Sequence, residues 1–154
     1  MKSFDIDFQT KTAKFWDDGS QVFAVTSVYD IGTAVATLLT NEEVREKSLN
    51  QRVYITSINL NQKNILAAAE KVTGEKWTVK TIDGKKEFEE AKKRAEATKN
   101  PVDTLTALKG LSLTKGDWED WKLKAIAGNS ELLPTGPGET LEETVRRFIR
   151  EEGL

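Results

Sequence analysis

Apolar residues recur along this chain with two periods, and the period changes at turn and cap residues. Phe4, Ile6 and Phe8 alternate with Asp5, Asp7 and Gln9, which predicts a half-buried strand carrying its acids on the wet face. Residues 11–16 and 21–25 flank Asp17-Asp18-Gly19-Ser20, the pattern of two strands paired as a hairpin. Asp30 then stands where a helix N-cap belongs. Behind it Ile31, Val35, Leu38 and Leu39 fall at i, i+4, i+7 and i+8, one apolar stripe suited to packing on a sheet. This helix is expected to stop near Thr40-Asn41, and the charged run at 42–47 reads as a solvated turn or short helix.

The β-branched and aromatic run at 52–58 predicts a further strand. Asn61 caps the next helix, whose buried face is Ile65, Leu66, Ala69 and Val72 and whose end is Gly74. Residues 77–82 read as a strand closed by Asp83-Gly84, and residues 85–98 as a charged helix with a thin stripe of Phe88, Ala91 and Ala95. Asn100-Pro101 breaks that helix. A leucine-bearing helix follows from Val102 to about Gly110, and Trp118 and Trp121 share a face in the segment 116–126. Residues 132–138 form a Pro- and Gly-rich loop by composition. The last helix is the most completely specified. Thr140 and Glu143 form a capping box, Leu141, Val145, Phe148 and Ile149 make the stripe, and Gly153 closes it. Strands alternating with helices give an α/β fold.

Composition narrows the chemistry. With 154 residues the chain has room for one domain with a real core. The net charge of −2, from 23 basic and 25 acidic residues, makes no electrostatic case for nucleic acid or an anionic membrane as partner. There is no cysteine and no histidine, so thiol nucleophiles, disulfides and the commonest general base and metal ligand are all missing. No stretch approaches the roughly 20 apolar residues of a membrane helix, and MKSFDIDFQTK lacks the apolar run of a signal peptide. The expected location is cytoplasmic.

No local motif supplies a reaction. The ten glycines never form G-x-G-x-x-G or a P-loop, and Gly136-Pro137-Gly138 reads as a rigid loop before the last helix. Neither Tyr29 nor Tyr54 has a lysine four residues on. The pairs Asp5/Asp7 and Asp17/Asp18 read as surface acids, and Trp16, Trp77, Trp118 and Trp121 first as packing groups.

Taken in order, Val28-Tyr-Asp-Ile-Gly-Thr-Ala-Val-Ala36, Arg52-Val-Tyr-Ile-Thr-Ser57, Asn64-Ile-Leu, Val72-Thr-Gly-Glu-Lys-Trp77 and Glu131-Leu-Leu-Pro with Thr140-Leu-Glu-Glu-Thr-Val145 form a pattern. It resembles the C-terminal half of the NmrA-like/isoflavone-reductase-like proteins, atypical short-chain dehydrogenase/reductases, of a fungal type. The resemblance spans Phe4 to Phe148. It implies the C-terminal part of an NAD(P)-binding Rossmann-like fold with a largely helical substrate-domain portion. Residues 1 to about 58 would be late Rossmann elements and 59–154 the substrate-domain portion of a single partial domain.

The resemblance further implies an NADP-dependent oxidoreductase of a small, aromatic or related metabolite. The family's phosphate loop and active-site lysine lie upstream of everything matched, so no catalytic or cofactor-binding residue carries over and the chain alone is expected to be inactive. Phe4, Phe8 and Trp16 are the candidates for substrate contact, and Asp30 is expected to cap rather than catalyse. The alternative is the regulatory branch, which senses nicotinamide redox state and binds a protein partner. A sheet lacking its first strands would also expose an edge open to self-association.

Overall fold

The computed structural model describes residues 2–114, 133 and 140–153, and these form a mixed α/β structure. The chain divides into two compact units. The first takes its residues from Met1–Val22, Asn61–Asp117 and Thr140–Leu154, the second from Phe23–Leu60 and Trp118–Glu139.

The first unit is built on a four-stranded sheet of order β1-β2-β3-β6, from β1 (Lys2–Ser3), β2 (Ile6–Asp7), β3 (Thr12–Trp16) and β6 (Thr78–Ile82). β1, β2 and β3 are antiparallel neighbours, whereas β3 and β6 run parallel with Thr12 opposite Thr78 and Lys14 opposite Lys80. The continuous strand expected over 4–8 is broken. Phe4 and Asp5 are both left-handed, with φ of 52° and 60°, and turn the chain back within two residues. Such a turn ordinarily selects Asn-Gly. Here it is held from outside, because the Phe4 carbonyl accepts from Gln62 Nε2 at 2.9 Å and the Asp5 carbonyl from Lys14 N at 2.9 Å.

Among the described residues the first unit has four helices: α3 (Gln62–Thr73), α4 (Gly84–Thr98), α5 (Pro101–Leu113) and α6 (Leu141–Glu152). Each opens on a side-chain N-cap, expected at Asn61 and Thr140 and revealed by the structure at Asp83 and Asn100. Asn61 accepts from Asn64 N, Asp83 from Lys86 N and Asn100 from Val102 N, with Pro101 in the first turn, and Thr140 with Glu143 makes both halves of the capping box. α5 runs three residues past Gly110. That glycine is instead the place where α4 and α5 touch, since a Cβ on Gly110 would lie 2.6 Å from the Phe88 ring. The core gathers Ile6, Ala13, Phe15 and Trp16 from the sheet and Ile65, Leu66, Ala68, Ala69, Phe88, Ala91, Leu113 and Val145 from the helices, with Phe8 just after β2 and Trp77 just before β6. Phe8 makes an edge contact with Trp77 and a tilted one with Phe148, both at 4.9 Å between ring centroids.

The second unit contains β4 (Phe23–Val25) paired antiparallel with β5 (Ile58–Leu60), and the helices α1 (Val28–Thr40) and α2 (Glu42–Ser48). The expected hairpin between 11–16 and 21–25 does not form. β3 already has β2 and β6 on its two edges, so it has no ladder left to offer, and β4 pairs with β5 instead. The strand expected over 52–58 is reduced to its last residue and the two beyond. β4 supplies only three partners, and β-propensity makes strand only where a ladder is available. The described apolar core of this unit is small: Phe23, Ala34, Leu60 and Leu133.

α1 departs most from expectation. Its N-cap is Ser27, whose hydroxyl accepts from Asp30 N at 3.0 Å, so Asp30 sits inside the first turn. Most of the apolar stripe faces outward, with Ile31 45%, Val35 48% and Leu39 71% exposed, while Asp30 and Ala34 are buried and Leu38, one turn further along their face, is half-buried. Asp30 accounts for this. Its Oδ2 accepts hydrogen bonds from the hydroxyls of Ser27 and Ser57, which fixes the rotation of the helix about its axis. Residues one apart on a helix point about 100° apart, so burying 30 and 34 turns 31 and 35 toward solvent. The expected segment 116–126, with Trp118 and Trp121, lies outside the described residues, as does the loop at 132–138 except Leu133. Among the described residues, no helix is long and apolar enough to cross a membrane.

Candidate functional site

The densest chemistry in the first unit surrounds Asp5. Its left-handed backbone swings the carboxylate under Trp16, whose Nε1 donates to Oδ2 at 2.7 Å. Lys109 Nζ, on α5, donates to Oδ1 at 2.7 Å, and Lys14 Nζ, on β3, lies 3.3 Å from Oδ2. The Lys14 ammonium also stands 5.9 Å above the Trp16 ring, within cation–π range. Burial alone pushes the Asp5 carboxyl up. The hydrogen bonds from Lys109 and Trp16, with the charges of Lys109 and Lys14, outweigh it and hold the group below the ordinary carboxylate value.

Asp5 and Asp7 are therefore not on a wet face. Asp7 is buried, and its Oδ1 accepts from Gln9 N at 3.1 Å and more distantly from Thr10 N. The two-residue turn displaces Asp5 from the strand pattern and brings it against α5. Asp17 is likewise committed, accepting from Gly84 N at 2.8 Å at the start of α4.

Gln62, at the start of α3, ties the region together. Its side chain accepts from Trp16 N at 2.9 Å and donates to the carbonyls of Phe4 and Lys14, each at 2.9 Å. One buried amide thus satisfies three backbone groups beside the Asp5 cluster, an arrangement that leaves little freedom to Trp16.

An open groove of about 420 Å³ lies over the sheet at this point, lined by Asp5, Asp7, Thr12, Ala13, Lys14, Lys80, Thr81 and Ile82. It combines ammonium groups, carboxylates and the hydroxyls of Thr12 and Thr81. Such a set can bind and orient a charged ligand. Among the described residues no group of three or more His, Cys, Asp and Glu could hold a metal ion.

Of the residues read from sequence as substrate contacts, Trp16 is 0% exposed and is the base of the Asp5 cluster. Phe8 is buried between Trp77 and Phe148. Phe4 is half-buried in the β1–β2 turn. None of the three lines the groove. Lys109 was not legible in the sequence, because it reaches Asp5 across 104 positions and nothing local marks it.

The β4–α1 junction is a strand–turn–helix, the kind of place where a dinucleotide pyrophosphate docks. This one does not fit. The Asp30 amide is taken by Ser27, and the Asp30 carboxylate puts negative charge in the first turn, where an anionic pyrophosphate would need to sit. The chain matches no family model, and no curated protein is significantly similar to it.

Proposed function

We propose that the chain is the C-terminal part of an NmrA-like, Rossmann-type oxidoreductase that uses NADPH to reduce a small metabolite, and that it contributes a wall of the substrate site. The reading is supported by the order and spacing of the sequence blocks that resemble that family. The structural observation that carries it is α1. An amphipathic helix with its stripe of Ile31, Val35 and Leu39 exposed is suited to packing on further strands of a layered α/β domain. The short pairing of β5 after the β-prone run at 52–57 points the same way. Among the described residues the β4–α1 junction does not fit the dinucleotide, so no step of hydride transfer is assigned to this chain.

The test is titration of the purified chain with NADPH, alone and mixed with the glycine-rich N-terminal half of an NmrA-like reductase. The chain alone is expected not to bind, and the mixture to bind nucleotide and pass through gel filtration as one species. Micromolar binding by the chain alone would overturn the incomplete-site reading. Failure of the halves to associate would overturn the reductase reading.

A further inference from the structure

We infer that the groove over β3 and β6 is an oxyanion site, with Lys14 and Lys80 as its two ligating groups. The inference is independent of the reductase reading and stands on the first unit alone. Lys14 and Lys80 are direct partners across the parallel β3–β6 pair, so their side chains leave the same face of neighbouring strands. Like charges placed directly opposite on a sheet repel and destabilise it. An anion held between them converts that cost into two favourable contacts, and each ammonium offers three rotatable donors for an oxyanion.

The local carboxylates leave room for this. Asp5 already receives Lys109 and the Trp16 indole at 2.7 Å each, so Lys14, at 3.3 Å, is its longest partner and the one best able to turn into the groove. Asp7 is turned back on the amides of Gln9 and Thr10. The groove's own lining sets two lysines, 14 and 80, against two aspartates, 5 and 7, and the carboxylate of Asp5 is paired from outside the groove by Lys109, which leaves Lys14 and Lys80 as the cations available to a ligand. The side chain of Lys14 is 43% exposed and β6 is solvent-facing at Lys80, so an anion reaches both without a change of fold.

The ligand this chemistry recognises is a small oxyanion, either the phosphate of a phosphorylated metabolite or a dicarboxylate. Amide chemical shifts of the whole chain would be followed as inorganic phosphate, malonate or chloride is added at constant ionic strength. Saturable shifts are expected at Lys14, Lys80 and Thr81 with phosphate or malonate, half-complete on the order of 1 mM, as suits two exposed charge contacts. The stronger of the two identifies the ligand class. Lys80→Gln, at an exposed strand position, should weaken binding at least about tenfold, and Lys14→Gln similarly. Lys63→Gln, on α3 outside the groove, should leave binding unchanged. Shifts no larger than those from chloride, or binding that survives Lys80→Gln, would overturn the assignment.

Discussion

Asp5 shows how one residue can reverse its expected role. Alternation with apolar neighbours puts it on a wet strand face, yet a left-handed turn delivers it to Trp16, Lys14 and Lys109. Because its folded pKa lies below the ordinary value near 3.8, the stabilisation it provides is complete above that value and is lost as the pH falls through the folded pKa. Asp5→Asn tests the charge almost alone, since asparagine tolerates the left-handed backbone and keeps an acceptor for the indole. Urea unfolding at pH 7 should show the variant less stable by about 1–3 kcal/mol, the cost of removing one partner from a partly buried ion pair. The gap should close as both proteins are taken to the acid side of 3.8. A gap that stays constant across that range would mean that packing, not charge, holds the turn.

The helices of the first unit illustrate element-scale agreement between local signals and packing. Asn61, Asp83, Asn100 and Thr140 all cap where their spacing to the next apolar stripe requires, because an N-cap is satisfied by amides two or three residues away. Gly110 has a different logic. In a helix interior glycine costs about 1 kcal/mol relative to alanine, so Gly110→Ala would stabilise an isolated helix. Here the added methyl would sit 2.6 Å from the Phe88 ring, and overpacking costs about 1–3 kcal/mol. The variant is expected to melt lower than the parent. Pairing it with Phe88→Leu should give a loss smaller than the sum of the two single losses, because the second change vacates the space the first one needs. A higher melting temperature for Gly110→Ala alone would show that α4 and α5 can move apart freely. α1 is the counter-example among elements. Its periodicity was legible in the sequence, but not the side on which it would be buried, since the hydroxyls of Ser27 and Ser57 anchor Asp30 inward against the apolar stripe.

On the scale of the whole molecule the two units differ in how much they bury. The first collects aromatic and aliphatic side chains from its sheet and four helices, whereas the described core of the second is Phe23, Ala34, Leu60 and Leu133. Local opening free energy follows burial, so amides of α1 should exchange with solvent at least about 100-fold faster than those of α3. Hydrogen exchange followed by mass spectrometry or NMR checks this, and equal protection of the two helices would contradict it. By itself the sequence determined the α/β class, the helix caps at Asn61 and Thr140, the break at Asn100-Pro101 and the amphipathic last helix. All of these depend on residues within about one helical turn of one another, so the local chain carries the whole signal. The tertiary structure alone decided that β3 pairs with β6 rather than with the next run, that Asp7 is buried, that Lys109 reaches Asp5, and that most of the stripe of α1 faces outward. Each of those outcomes is a competition for partners distant along the chain. A strand has only two edges and a buried carboxylate must find its donors, and neither constraint is written in the spacing of neighbouring residues.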